Sequence, residues 1–263
     1  MRSERTACER IAYGRIDPVG WLEGERDVAL FLDFDGTLVD VVTRPEDVAP
    51  SKGLVDLLER LAEGLDGALA IVTGRSIADL DRVLAPATFV TAGLHGAEYR
   101  TSRAEIARQV ALPLHPDLVS ELRRLQRIFP GVRVEEKGAT AAVHWREAPG
   151  VQRVLAAELD RILADGPDHL VVSQGRKVFE ICPRHVSKGA VIDVLSGLAA
   201  FSGRRPIMIG DDASDESGFE AAERRGGIGF RVRGETFGPE VSNFASPRQV
   251  REWLSLLLAT VAR

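Results

Sequence analysis

The sequence predicts an α/β protein: a doubly wound parallel sheet interrupted by a smaller α+β unit. Three observations predict it. Short apolar runs without polar alternation, at 28–32, 68–72 and 206–209, read as strands buried on both faces. Segments with apolar residues at helical spacing alternate with them in a βαβαβ rhythm. That rhythm breaks after residue 105 and returns near Ser187. The expected layout is an extension over 1–26, a core over 27–105 and 184–263, and an insertion over 106–183. A length of 263 residues fits such a split, lying between one and two domains at roughly 150 residues each.

The elements follow in order. Val28–Leu32 is the first strand and runs directly into Asp33-Phe34-Asp35-Gly36-Thr37. Ser51–Gly64 carries Leu54, Leu57, Leu58 and Leu61 on one helical face, and Gly64 is its stop. Ala68–Val72 is a strand broken by Thr73-Gly74-Arg75-Ser76, and Ile77–Leu84 is helical. Phe89-Val90 is a third strand leading into Thr91-Ala92-Gly93-Leu94-His95-Gly96. In the insertion, Leu118–Phe129 and Val151–Leu163 are amphipathic helices. Val132–Glu135, Ala141–Trp145, Leu170–Ser173 and Lys177–Ile181 are strands of a local antiparallel sheet. Lys188–Leu198 is a helix, Pro206–Ile209 a strand ending in Gly210-Asp211-Asp212, residues 213–225 a helix, Ile228–Val232 a strand and Val250–Val261 the closing helix.

Composition narrows the function. Hydrophobic residues make up 44 % and charged residues 28 %, ordinary for a globular chain that can bury a sizeable core. A net charge of −5 leaves no electrostatic footprint for nucleic acid, and arginines are scattered among acids, as in Glu121-Leu122-Arg123-Arg124. Two cysteines, Cys8 and Cys182, exclude a disulfide scaffold and fit a reducing cytoplasm. The first 26 residues lack the apolar stretch of a secretory signal, and no apolar run reaches the ~18 residues of a membrane span.

Four groups could carry chemistry. Asp33 and Asp35 stand two residues apart at the carboxyl end of a buried strand, where open α/β sheets bind ligands. Like charges this close need a cation or a shared proton. Asp211, Asp212 and Asp215 follow a second apolar run. A hard, oxygen-liganded cation such as Mg²⁺ explains both clusters, although aspartates also favour helix N-termini. Thr73-Gly74-Arg75 offers a hydroxyl and free backbone N–H groups for an anion. Lys188, opening a helix after Ser187, could neutralise phosphate; an exposed lysine is the commoner case.

These pieces, in this order, resemble the haloacid dehalogenase-like phosphohydrolase superfamily, to which DFDGT at 33–37 is quite specific. The resemblance implies a Rossmann-like core with an inserted C2-type cap. It implies Asp33 as nucleophile, Asp35 as acid and base, and Thr73 and Lys188 on the transferring phosphoryl group. Asp211 would ligate Mg²⁺, with Asp33, Asp35, Asp212 and Asp215 completing its surroundings.

The cap adds Glu135-Glu136-Lys137, His144-Trp145-Arg146 and the hairpin Gln174-Gly175-Arg176-Lys177 with its return strand. Such a mixture of donors and acceptors suits a sugar with many hydroxyls. With IVTGRS, AGLHGAE, QGRKVFEICP, SKG and GDDASDESGF, the chain is similar to the trehalose-6-phosphate phosphatases from about Val28 to Leu257. That resemblance implies Glu135, Lys137, Arg146 and Glu180 on the distal glucose, and Gly93, His95 and Gly96 bordering the pocket beside Gly74 and Arg75. It implies a monomeric cytoplasmic enzyme of trehalose biosynthesis, fed by a trehalose-6-phosphate synthase. The competing readings are a phosphatase of sucrose 6-phosphate or a mannosyl phosphate, a sugar phosphomutase, and a silent sugar-phosphate sensor. The sensor is disfavoured because all five aspartates are present.

Overall fold

The computed structural model describes residues 17–22, 27–42, 47–51, 53–164, 169–175 and 177–261. The larger unit is built on a seven-stranded sheet. Its order is β11 (Ile228–Arg231), β10 (Arg205–Gly210), β1 (Val28–Leu32), β2 (Leu69–Val72), β3 (Val90–Gly93), β4 (Glu98–Arg100) and β5 (Arg108–Gln109). The first five strands are parallel, and β4 and β5 add antiparallel edges. Every residue of β1 and β2 is buried, as continuous apolar runs between two helical layers require. Helix α2 (Leu54–Gly64) packs on α8 (Pro247–Val261), and α6 (Lys188–Leu195) on α7 (Glu216–Arg224). From β1 the chain winds toward β2 and β3, and from β10 it winds the other way to β11. The strand order therefore reverses between β1 and β10. Their carboxyl ends open a crevice there.

The insertion forms a four-stranded antiparallel sheet of β6 (Arg133–Glu136), β7 (Ala141–His144), β9 (Val178–Pro183) and β8 (Leu170–Gly175), in that order. Helices α4 (Pro116–Ile128) and α5 (Gln152–Ala164) share its apolar core, through Leu122, Leu125, Val143, Leu159, Phe179 and Ile181. Side chains alternate along each strand, so the opposite face is polar. Register puts Glu135 beside Ala142 and Ala142 beside Glu180. These residues, with Arg133 and His144, stand on one face.

Two expectations are corrected, and one is filled in. The third core strand runs from Val90 through Gly93, so the expected loop begins later; Thr91 and Ala92 pair with Ile71 and Val72 of β2. The core sheet extends through β4 and β5 to Gln109, past residue 105, because these short polar strands lie at a sheet edge. Part of the extension is docked: α1 (Pro18–Leu22) offers the Pro18 carbonyl to the buried Trp253 indole N–H at 2.8 Å, an acceptor that buried donor requires. Residues 1–16 and 23–26 lie outside the described residues, as do Cys8 and Arg176. Among the described residues, no helix is long and apolar enough to cross a membrane.

Candidate active site

Asp33 leaves the end of β1 and Asp211 the end of β10, on either side of the crevice. Asp215 completes the group: one carboxylate oxygen from each of Asp33, Asp211 and Asp215 lies within 4.8 Å of the others. Lys188 Nζ donates to Asp33 Oδ1 at 2.7 Å and to Asp215 Oδ1 at 2.6 Å. All four residues are buried, none more than 8 % exposed. Ser187 caps α6 through its hydroxyl, which accepts the Ala190 N–H at 3.1 Å. That cap opens the helix at Lys188 and turns it inward, against the usual exposure of lysine. Gly36 has φ +89°, and any Cβ there would overlap the Asp211 carboxylate. Glycine thus lets the two loops approach.

The electrostatics follow from burial. Desolvation pushes the Asp33 carboxyl up, and Lys188 only partly offsets it. Asp211 is pushed up by burial and by the charges of Asp33 and Asp215. Burial alone would lower Lys188, but Asp215 and Asp33 hold it firmly protonated. Fully ionised, three carboxylates and one ammonium leave two negative charges.

Of the five expected aspartates, three bring their carboxylates together. The carboxylates of Asp35 and Asp212 stand outside the cluster. Strand β1 ends at Leu32, so the same-side rule does not carry from Asp33 to Asp35. The Asp35 carboxylate is instead forked by Arg75, at 2.6 Å from Nε and 2.8 Å from Nη2. Arg75 also lies over the Phe34 ring, 5.7 Å from its centroid. Asp212 Oδ1 accepts the Ala213 N–H at 2.8 Å and the Thr236 hydroxyl at 2.7 Å. Asp215 Oδ2 accepts the N–H groups of Asp211 and Asp212 at 3.1 and 3.0 Å, so it shapes the loop as well as facing Lys188. Thr73, 1 % exposed, accepts the Arg75 N–H through Oγ1 at 3.1 Å.

A cavity of about 930 Å³ separates this rim from the polar face of the inserted sheet. It is lined by Asp33, Thr73 and Lys188 below and by Glu135, Arg146 and Glu180 above. The upper residues reach across it. Glu180 Oε2 lies 2.6 Å from His95 Nε2, Lys137 Nζ donates to the Gly74 carbonyl at 3.3 Å, and Arg146 Nη1 donates to the Val42 carbonyl at 3.2 Å. Glu135 Oε2 sits 3.0 Å from His144 Nε2 and 3.7 Å from Lys137 Nζ. The His144 contact comes first among the causes that hold Glu135 down at about 2. His95 and Gly74 line the cavity, and Gly93 and Gly96 lie behind it. They are glycine because other groups come close. A Cβ at Gly93 would lie 2.7 Å from Glu98 Oε1, and one at Gly96 2.8 Å from the Ser187 carbonyl.

Sequence reasoning missed Asp79 and Arg82 on α3 (Ile77–Leu84), which also line the cavity. Their signal was present: Ser76 caps α3, which aims its first turns at the crevice. It missed Arg133 as well, though strand alternation from Glu135 would have found it.

A doubly wound sheet with a buried lysine and a carboxylate cluster at its switch point has the fold of the haloacid dehalogenase-type phosphohydrolases. The comparisons narrow this to one family. The family model Trehalose-phosphatase matches residues 31–249, and the chain belongs to that family. A probable trehalose-phosphate phosphatase of Sinorhizobium fredii (strain NBRC 101917 / NGR234) is 40 % identical over 205 residues, 78 % of this chain and 77 % of that protein. Trehalose-6-phosphate phosphatase of Escherichia coli (strain K12) is 36 % identical over 213 residues, with the same two coverages of 78 % and 77 %. The solved C-terminal domain of Candida albicans trehalose-6-phosphate phosphatase superposes with a TM-score of 0.79 at 20 % identity, over 92 % of this chain and 95 % of that one. At that identity the superposition speaks for the fold.

Proposed function

We propose that the protein is a Mg²⁺-dependent phosphatase that hydrolyses trehalose 6-phosphate to trehalose and inorganic phosphate through an aspartyl-phosphate on Asp33. The observation that carries this reading is the buried Asp33–Lys188–Asp215 contact, with Asp211 beside it, roofed by a polar sheet face. The family and the names of its relatives point to the same substrate.

The donor set suits a hard divalent cation: every candidate ligand is a carboxylate oxygen, and two negative charges await neutralisation. Asp33 and Asp211 would hold it, with Asp215 shaping the loop beneath. When bound, Mg²⁺ would offset carboxylate charge and let an anionic phosphate approach.

The chain's own residues do the rest. Asp33 attacks phosphorus, which splits a very slow hydrolysis into two easier displacements. Once substrate draws Asp35 away from Arg75 and it takes up a proton from solvent, Asp35 donates that proton to the departing sugar oxygen and later takes one from the attacking water. Arg75 holds Asp35 in the resting site and faces the same cavity, where a guanidinium can also meet phosphoryl oxygens. Lys188 and the Thr73 hydroxyl face the oxygens of the transferring group. Lys137, Arg146 and Glu180 exchange their contacts to the core, and Glu135 its contacts within the cap, for sugar hydroxyls, and the cap keeps water out until transfer is complete.

Phosphate release from a panel of trehalose 6-phosphate, sucrose 6-phosphate, glucose 6-phosphate and a mannosyl phosphate, with Mg²⁺ present, tests this. The expected result is at least about tenfold higher kcat/KM for trehalose 6-phosphate, the size of a few well-made sugar contacts. Faster turnover of another member, or transfer of phosphate between positions on the sugar without release, would overturn it.

A further inference from the structure

Glu98 stands out among the buried charges. It lies on β4, 7 % exposed, and among the described residues no arginine, lysine or histidine pairs with it. Its carboxylate is answered only by N–H groups. Oε1 accepts the Ile77 backbone N–H at 2.6 Å, and Oε2 accepts the Gln109 side-chain amide at 2.7 Å. A buried carboxylate without a counter-ion is costly, and here the N-terminus of α3 offsets part of that cost.

The two partners belong to different parts of the machinery. Ile77 is the first residue of α3, directly after Thr73-Gly74-Arg75-Ser76. The Arg75 carbonyl is held from the same side by the Leu94 N–H at 2.9 Å. Glu98 and Leu94 thus pin from behind the loop whose front presents Thr73 and Arg75 to the crevice. Gln109 is the last residue of the core sheet before the chain crosses into the cap, and Val110 still bonds the Ala97 carbonyl at 2.8 Å. A small apolar cluster of Leu94, Ala97, Ala139 and Val186, with Ala111 against it, marks this joint. Its members come from the core, the cap and both crossings between them. Gly93 leaves the space that the Glu98 carboxylate occupies.

We infer that Glu98 is a positioning residue that ties the hinge of the cap to the loop carrying Thr73 and Arg75. The inference deepens the proposed phosphatase reading and rests on it. One oxygen sets the start of α3, and with it the reach of Arg75 to Asp35. The other fixes where the hinge begins, so both cleft walls are referred to one buried carboxylate.

The test pairs kinetics with amide exchange in the full chain, using trehalose 6-phosphate and p-nitrophenyl phosphate with Mg²⁺. Glu98→Ala should lower kcat about tenfold to a hundredfold on both substrates, as a misplaced catalytic loop does, with KM changed less than about threefold. It should also speed hydrogen exchange at the amides of 75–77. Glu98→Gln keeps an acceptor for Ile77 and should restore most of kcat. Gln109→Ala cuts only the hinge tie, so kcat/KM should fall about threefold or more for the sugar phosphate and stay unchanged for the aryl ester. A folded Glu98→Ala protein with native kcat on both substrates would overturn the inference. Should that variant not fold, Gln109→Ala decides: equal rates on both substrates, with exchange unaltered near the hinge, would overturn it. If the wild-type protein hydrolyses the aryl ester but not trehalose 6-phosphate, the substrate reading fails. The Glu98 readouts on the aryl ester and on amide exchange still stand.

Discussion

The two walls of the cleft are built on different principles. On the core side, Asp33, Lys188, Asp211 and Asp215 are buried, Lys188 bonds both Asp33 and Asp215, and each residue comes from a strand end or helix start at one rim of the sheet. On the cap side, Glu135 and Glu180 are 38 % and 18 % exposed, and the polar residues bond across the gap as well as among themselves. On the proposed reading, the core groups apart from Asp35, which waits on its release from Arg75, are assembled before any ligand arrives, whereas selectivity depends on the two units meeting. A phosphate bound by the core alone would find the reacting groups in place, but only a sugar that satisfies the cap would be enclosed with them.

The contrast can be broken at its strongest point first. Asp33→Asn should cut phosphate release at least about 10⁴-fold on sugar and aryl phosphates alike, because a nucleophile serves every substrate. Substantial turnover of the aryl ester by that variant, measured by phosphate assay, would mean that the core is not where the bond is made.

Next in size is the charge network. Lys188→Met leaves Asp33 and Asp215 buried without their cation. Unfolding in urea should then show a loss of about 3–5 kcal/mol, as for other broken buried pairs. Added Mg²⁺ should return part of it, since a cation that binds the folded site stabilises it. Unchanged stability would show that the core is not held by these charges.

The smallest effect concerns pH and the cap. Burial opposes ionisation of Glu180, yet the adjacent His95, aided by Lys137 and Lys188, holds it down at about 2. A carboxylate lowered on folding contributes stability above its ordinary value of 4.5, and that contribution is lost as pH falls from there toward 2. The stability gap between wild type and Glu180→Gln should therefore shrink across that window. A gap that stays constant with pH would mean that the bridge to His95 carries no charge-dependent stability.

The sequence was most readable where function and local pattern coincide. Continuous apolar runs ending in carboxylates located Asp33 and Asp211 at the crevice. The Ser187 cap placed Lys188 at a helix start, although nothing local foretold its burial. Glu135 and Glu180 came from the family resemblance, and the strand register is what puts them on one face. What escaped was set by distant partners or by where a strand stops. Nothing local reveals that Arg75, forty residues away, takes the Asp35 carboxylate. Glu98 reads as one acid in a three-residue polar strand, and β5 is two exposed polar residues without pattern. The contacts across the cleft lie between residues as far apart as 104 positions, beyond any periodicity.

The most direct test of the central claim is the ratio of kcat/KM for trehalose 6-phosphate to that for p-nitrophenyl phosphate, measured for wild type and Arg146→Ala. The ratio should fall about tenfold to a hundredfold, through the sugar phosphate alone, while the aryl ester keeps its rate within about threefold. An equal loss on both substrates would contradict the division of labour, because the cap arginine would then be serving the chemistry or the fold rather than the sugar.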